Sequence, residues 1–168
     1  MNTSHHSKQR QVLTPLGELT VARSAQGLSG IWFAEQKHHP GVLQAELDEH
    51  DPLLNEAARQ LGEYFAGQRK RFDLPLALEG TTFQQAVWAG LLKIPCGTTL
   101  SYGELAEAVH APSAVRAVGA AVGRNPLSIV VPCHRVLGRD GDLTGYAGGL
   151  DRKTALLELE GVLIQADA

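Results

Sequence analysis

The stretch SYGELAEAVHAPSAVRAVGAAVGRNP, residues 101–126, decides the fold of the C-terminal half of the chain. Ser101 and Glu104 have the spacing of a capping box, which predicts that a helix begins directly after Ser101. Pro112 breaks this helix, and a further helix is predicted over residues 113–123. Two short helices separated by a tight break indicate a helix-turn-helix.

The helix predicted over residues 113–123 is built mostly from alanine, glycine and valine. Its spacing predicts that Val115, Val118 and Val122 pack inward. Arg116 is the large residue among the small ones. This pattern fits an ordinary, tightly packed helix, and it also fits a slim helix that enters a narrow groove of DNA with Arg116 reaching into the base stack.

Downstream, the apolar run over residues 128–131 predicts a short buried strand that leads to Cys133. A cysteine is most often a small buried apolar residue, and Cys96 keeps that interpretation. Cys133 differs because ionisable neighbours can favour its reactive thiolate. His134 would point to the opposite side of an extended segment, so a relay through one water is the expected link between imidazole and sulfur.

Upstream, residues 11–34 alternate in polarity and predict strands joined by turns, and Asp51-Pro52 predicts the start of a long helix. The pattern changes near Gly80, where Thr82 and Gln85 have capping-box spacing at the head of another helix. The predicted domains are residues 1–80 and 81–168. Asp151 is predicted to cap the last helix.

The composition limits the function of the chain. With 168 residues and 43% hydrophobic residues, the chain can bury a core. Its net charge of −3 argues against non-specific coating of nucleic acid, which usually needs a strongly basic chain. Residues 112–153 hold six basic and three acidic side chains, which fits either a solvated surface or a local DNA-binding face. Two cysteines and no secretory or membrane-spanning stretch favour a reducing, cytoplasmic location. The seven histidines lack metal-ligand spacing, so no metal site is expected.

The motif PCHRV, residues 132–136, resembles the active-site motif of the O6-alkylguanine-DNA alkyltransferases, also called methylated-DNA–protein-cysteine methyltransferases. Asn125-Pro126 stands before the cysteine at the family's spacing. The resemblance covers residues 82–161 and, loosely, the N-terminal half. The further motifs at family spacing are residues 83–88, 101–103, 116–119, 145–149 and 156–161.

This resemblance implies an α+β fold with a small N-terminal RNase H-like α/β domain and a mostly helical, winged-helix-like C-terminal domain. It implies direct repair of DNA, in which one alkyl group passes irreversibly from O6 of guanine to Cys133 after base flipping. No cofactor is expected. The expected partner is double-stranded DNA, bound through the minor groove by a monomer. Activity on O4-alkylthymine and cooperative binding to DNA remain open.

The resemblance also assigns roles to residues. Cys133 would accept the alkyl group, His134 would act through water as its base, Glu160 would orient His134, and Asn125 would support the cysteine turn. Tyr102 would donate to the flipped guanine, and Ala147 would offer only its backbone N–H where some members carry serine. The expected substrate-binding set is Tyr102, Val136, Tyr146, Ala147 and Gly148. The expected DNA-binding set is Arg116, Ala117, Ala120 and Arg124.

Five further cations are predicted to contact phosphates or solvent: Arg124, Arg135, Arg139, Arg152 and Lys153. Two other classes of protein are considered beside the repair enzyme. One is a non-catalytic module that recognises lesions, against which Cys133 argues. The other is a cysteine hydrolase, which would need a histidine from elsewhere, an oxyanion hole and repeated turnover.

Overall fold

The computed structural model describes residues 5–162 and confirms the predicted α+β fold. The chain forms two units, and each is described here by itself. The first comprises the described part of Met1–Glu79 together with Pro126–Val130, and the second comprises Gly80–Asn125 with the described part of Val131–Ala168. Within the described range, no helix is long and apolar enough to cross a membrane.

The first unit is built on a four-stranded sheet in the order β3-β2-β1-β4. Strands β1 (Lys8–Thr14), β2 (Gly17–Arg23) and β3 (Leu28–Phe33) form an antiparallel meander, and the short β4 (Glu46–Leu47) pairs in parallel with β1. Turns at residues 14–17 and 26–27 join these strands, as the alternating pattern of residues 11–34 predicts. All six residues of β3 are buried, which makes this strand the centre of the apolar core.

Helix α1 (Pro52–Phe65) begins where the Asp51-Pro52 pair predicts it. The Asp51 carboxylate accepts a hydrogen bond from the Leu54 backbone N–H at 3.0 Å, and it is paired with the Arg23 guanidinium at 3.0 Å. This cap satisfies an N–H group that has no partner within the helix. The helix buries one apolar stripe, which includes Leu54, Leu61 and Tyr64.

The segment Pro126–Val130 belongs to the first unit, where Leu127 forms a parallel bridge with Ile31 of β3. The Ile31 backbone N–H donates to the Pro126 carbonyl at 2.8 Å, and Ser128 N–H donates to the Ile31 carbonyl at 3.1 Å. The predicted strand over residues 128–131 is wrong, because the chain turns there and Ile129 has a φ of 75°. This conformation is strained for a β-branched residue and is held by the bonds to β3.

The second unit is mostly helical. It contains α2 (Thr82–Leu92), α3 (Tyr102–Ala108), α4 (Val115–Gly123) and α5 (Leu150–Leu159), with β5 (Leu100–Ser101) and β6 (Val136–Leu137) paired in parallel. Helices α3 and α4 are the predicted helix-turn-helix, and Ser101 and Glu104 form the predicted capping box. The Trp88 indole of α2 donates to the Ala121 carbonyl of α4 at 2.9 Å, which fastens these two helices together.

Three local predictions for the second unit are wrong. The capping box of α2 uses Thr81 and Gln84 because two threonines and two glutamines give the same spacing one residue apart. Val115 is 40% exposed, because it opens α4 before the buried stripe that contains Val118 and Val122 begins. Gly149, with a φ of 94°, precedes the first residue of α5, so Asp151 lies within the first turn rather than at the cap.

Candidate active site

Cys133 opens a single 3-10 turn, Cys133–Arg135, and is 5% exposed. The prediction of an extended segment here is wrong, because the Arg135 N–H donates back to the Pro132 carbonyl at 3.0 Å and closes the turn. Successive side chains of a 3-10 turn are about 120° apart, so the sulfur and the imidazole still point in different directions.

Asn125 supports this turn from the end of α4. Its Nδ2 donates to the Val131 carbonyl at 2.8 Å, and its side chain is hydrogen-bonded to the Cys133 thiol. Burial raises the pKa of Cys133 above its ordinary value, while the Asn125 bond and the positive charge of Lys153 pull it down. Burial is the largest effect, so the thiol is mainly protonated at neutral pH.

His134 and Glu160 form a buried pair. His134 Nε2 lies 2.7 Å from Glu160 Oε2, and the two side chains are 0% and 1% exposed. Burial lowers the pKa of His134, and the adjacent Glu160 carboxylate partly opposes that change. A neutral imidazole that donates from Nε2 keeps a lone pair on Nδ1. Among the described residues, Nδ1 is buried and has no hydrogen-bond partner.

The prediction that Arg135 contacts phosphate or solvent is wrong. Arg135 is 6% exposed, and its Nε and Nη2 donate to the two oxygens of Glu160 at 2.8 and 3.0 Å. Its Nη1 donates to the Ile94 carbonyl at 2.6 Å. The guanidinium therefore holds both oxygens of the carboxylate that contacts His134, a bidentate arrangement that is strong and directional.

Lys153 is also wrongly predicted to contact phosphate or solvent, because the structure buries it completely. Its Nζ donates to three backbone carbonyls: Val136 at 2.6 Å, Thr144 at 2.8 Å and Gly145 at 3.2 Å. Burial lowers the pKa of Lys153 to about 8, and the neighbouring Cys133 opposes that change. The lysine joins β6 to the glycine-rich loop.

Tyr102, the first residue of α3, lies near Gly119 of α4 and Gly145 of the glycine-rich loop. A Cβ on Gly119 of α4 would lie 3.8 Å from the Tyr102 ring, and a Cβ on Gly145 would lie 3.6 Å from the Tyr102 hydroxyl. Burial raises the pKa of Tyr102, and the charge of Cys133 raises it further. The phenol therefore stays protonated at neutral pH and can donate a hydrogen bond.

The loop that follows Gly145 contains the three other residues that the resemblance places around the substrate. Tyr146 and Ala147 are partly buried and Gly148 is buried. The Gly149 N–H donates to the Tyr146 carbonyl at 2.9 Å, and Arg152 Nη1 donates to the Gly148 carbonyl at 3.2 Å. These bonds tie the loop to the start of α5.

The expected DNA-binding residues lie on a different part of the unit, the exposed face of α4. Arg116, Ala120 and Arg124 follow one another at intervals of four residues and are all exposed, as is Ala117. Residues at this spacing share one side of a helix. The helix thus presents two small alanines between two arginines, while Val118, Ala121 and Val122 are buried.

Two family models match the chain. Residues 11–78 match the 6-O-methylguanine DNA methyltransferase ribonuclease-like domain, and residues 82–162 match the DNA binding domain of the same family. The two matched domains define a class of two-domain DNA-binding proteins with an N-terminal ribonuclease-like fold. The chain belongs to the 6-O-methylguanine DNA methyltransferase family, as its motifs predict.

Relatives agree over nearly the whole length. A Mycobacterium tuberculosis protein named methylated-DNA–protein-cysteine methyltransferase is 48% identical over 158 residues, 94% of each chain. A Methanosarcina acetivorans protein of the same name is 49% identical over 88% of this chain and 94% of its own. A crystal structure of the M. tuberculosis protein in complex with DNA matches with a TM-score of 0.85 and 48% identity, over 91% of this chain and 92% of that one.

The structure adds two buried cations, Arg135 and Lys153, that sequence reasoning assigned to the surface. One signal for Lys153 was available. It stands three and four residues before Leu156 and Leu157, so it shares the buried face of α5. The position of Arg135 within the PCHRV turn carries no comparable signal, because its partners Glu160 and Ile94 are distant in sequence.

Proposed function

We propose that this protein repairs alkylated DNA by transferring the alkyl group from O6 of guanine to Cys133. The observation that carries the proposal is the buried Cys133 turn beside the His134–Glu160 pair, whose nitrogen and oxygen are 2.7 Å apart. The names and DNA complex of its relatives support the same reaction.

The reaction begins with removal of the thiol proton. Because burial raises the pKa of Cys133, a base is needed when substrate is bound. We propose that a water molecule takes this proton and passes one to Nδ1 of His134. The unpartnered Nδ1 and the Nε2 contact to Glu160 support this route. Glu160 then stabilises the resulting imidazolium, and Arg135 holds Glu160 in place.

The thiolate attacks the alkyl carbon in line with the bond to O6. A carbon–sulfur bond forms, the carbon–oxygen bond breaks, and its electron pair leaves with guanine. Tyr102 donates a hydrogen bond to the departing base, which its raised pKa supports because the phenol keeps its proton at neutral pH. Val136, Tyr146, Ala147 and Gly148 are the proposed walls of the pocket.

The alkylated base must leave the duplex before Cys133 can reach it, and extrusion costs roughly a few kcal/mol. We propose that α4 enters the minor groove and that Arg116 fills the gap left by the base. The exposed row of Arg116, Ala117, Ala120 and Arg124 supports this placement, because small side chains allow close approach and arginines can contact phosphates.

The product is a thioether to a saturated carbon, and none of the site residues within 5–162 is a group that cleaves such a bond. We therefore propose one turnover per molecule. We also propose that the protein acts as a monomer in the cytoplasm. Neither Cys96 nor Cys133 is in a disulfide, which fits a reducing compartment.

Intact-mass analysis after incubation with a duplex that contains O6-methylguanine tests the reaction. The expected result is a gain of one methyl group per protein, with a matching loss of O6-methylguanine from the DNA. Cys133→Ser should gain nothing, whereas Cys96→Ser should behave as the natural protein does. DNA binding without methyl gain would favour the lesion-recognition module, and repeated turnover without methyl gain would favour a hydrolase.

A further inference from the structure

Lys153 is a buried cation of the second unit that has no part in the proposed reaction as described above. Its side chain is fully buried on α5, and its three N–H donors are used by the Val136, Thr144 and Gly145 carbonyls. An ammonium group has three donors and no acceptor, so this set satisfies it completely. The partners are neutral carbonyls, so none of them balances the ammonium charge, which Lys153 carries at neutral pH because its pKa is about 8.

A buried ammonium is expensive for a fold, because its charge must leave water. If Lys153 only joined β6 to the glycine-rich loop, an uncharged donor could make hydrogen bonds of the same kind. The charge acts electrostatically on the two residues of the reaction, Cys133 and His134: it lowers the pKa of the thiol and opposes protonation of the imidazole. Cys133 in turn raises the pKa of Lys153. The position of Lys153 thus couples the acceptor sulfur to the two segments that surround it.

We propose that Lys153 is a positioning residue for alkyl transfer, which sets the Val136 carbonyl and the Thr144–Gly145 loop around the flipped base and whose positive charge favours the Cys133 thiolate. The proposal rests on the proposed function. A carbonyl has two lone pairs, so the Val136 oxygen can accept from Lys153 and still face a base.

Three other described residues of the site, Tyr102, His134 and Arg135, do not supply a positive charge that balances the Cys133 thiolate. Tyr102 interacts electrostatically with Cys133, and its phenol is neutral at neutral pH because its pKa is raised. His134 is kept neutral by burial until it receives a proton, and the charges of Arg135 and Lys153 both oppose its protonation. Arg135 is paired with Glu160. Lys153 therefore carries the positive charge that counters the thiolate before the proton reaches His134.

The first experiment compares Lys153→Met with Lys153→Arg, both in a Cys96→Ser background so that Cys133 is the one thiol. Methionine keeps the length and apolar stem of lysine but removes the charge. Because Lys153, with a pKa of about 8, is still protonated at pH 7, the thiolate fraction of Cys133 is assayed at that pH by the rate at which iodoacetamide alkylates the thiol. We expect Lys153→Met to lower this thiolate fraction about tenfold or more, and to slow single-turnover methyl transfer at pH 7 at least about tenfold.

Lys153→Arg should recover part of both changes because it restores the charge. The matched control is Lys93→Met, which removes an exposed lysine of the same unit and should change neither quantity. DNA affinity should stay within about twofold in Lys153→Met. A large loss of affinity with an unchanged thiolate fraction at pH 7 would overturn the proposal in favour of a phosphate contact. Slower transfer with an unchanged thiolate fraction would overturn the charge role and leave only a structural one.

A second measurement on the natural sequence covers the case in which Lys153→Met does not fold. Nuclear magnetic resonance of lysine labelled at Cε follows the Lys153 titration before and after Cys133 is alkylated. We expect two coupled steps before alkylation and one step afterwards, because the thioether has no charge. An identical titration in both forms would overturn the proposal. These titrations need no repair activity, so failure of methyl transfer in the natural protein would contradict the proposed function separately.

Discussion

His134 Nε2 and Glu160 Oε2 lie 2.7 Å apart in an interior where neither side chain is more than 1% exposed. Because both oxygens of the carboxylate also accept hydrogen bonds from Arg135, its orientation is fixed. This contact assigns the imidazole proton to Nε2 and leaves Nδ1 as the basic nitrogen. The pair thus determines which nitrogen can take part in proton removal from Cys133.

Glu160→Gln should slow methyl transfer because the amide keeps the shape of the side chain but cannot balance an imidazolium. We expect the single-turnover rate to fall about 10- to 100-fold. Stability should fall by about 1–3 kcal/mol, since Arg135 loses its counter-charge. Rapid-quench kinetics and urea denaturation measure the two effects. Glu158→Gln changes an exposed residue of the same helix and should leave both unchanged. Transfer at the natural rate in Glu160→Gln would remove Glu160 from the mechanism.

Asn125→Ala should affect both the turn and the thiol. The substitution leaves the buried Val131 carbonyl without its 2.8 Å donor and removes a hydrogen bond that lowers the pKa of Cys133. We expect a loss of about 1–3 kcal/mol in stability and a higher thiol pKa. Asn55→Ala is the matched control, because Asn55 lies in the other unit and pairs with Arg10. If the thiol pKa in Asn125→Ala stayed at its natural value, the hydrogen bond to sulfur would have no part in reactivity.

Sequence patterns predicted the features that depend on near neighbours. The strands of the meander, the cap at Asp51 and the capping box at Ser101 follow from residues a few positions apart. The turn at Ile129 was missed, because bonds to β3, nearly a hundred residues earlier, override its strand propensity. Arg135 was likewise missed since its burial depends on Glu160 and Ile94. The conformation of Ile129 and the burial of Arg135 depend on partners that are distant in sequence, and local residue spacing gives no information about such partners.

Arg116→Ala should slow repair in duplex DNA more than reaction with free O6-benzylguanine. The free base needs no extrusion, whereas a flipped nucleotide leaves a gap that Arg116 is proposed to fill. We expect a loss of about tenfold or more in the duplex reaction, equivalent to about 1.4 kcal/mol, and less than about twofold with the free base. Stopped-flow and mass-based assays give the two rates.

The control for Arg116→Ala is Lys70→Ala, which removes an exposed cation from the other unit and should change neither rate appreciably. Equal losses on duplex and free base in Arg116→Ala would sink the extrusion role, because they would indicate a change in the pocket itself.

Acid should destabilise the first unit through His6. This ring is buried against Trp32, with ring centroids 5.3 Å apart, and its Nδ1 lies 2.6 Å from the Ser29 hydroxyl. Burial, helped by the neighbouring His5, lowers the pKa of His6 from 6.5 to about 4. Between these values the unfolded chain binds a proton that the folded chain does not, so the free energy of unfolding falls as pH decreases.

The stability that His6 contributes is therefore present above pH 6.5 and is lost as pH falls toward 4. Between pH 7 and 5, the free energy of unfolding of His6→Gln should fall by about 1 kcal/mol less than that of the natural protein. This figure allows for partial solvent screening of the histidine charge. Urea denaturation at both pH values measures the difference. The exposed His50 provides the control, since His50→Gln should keep the natural pH dependence. The interval from pH 7 to 5 lies above the range in which ordinary carboxylates titrate. If His6→Gln lost as much stability in this interval as the natural protein, the loss would come from other buried groups. His134 would be the first of these to test.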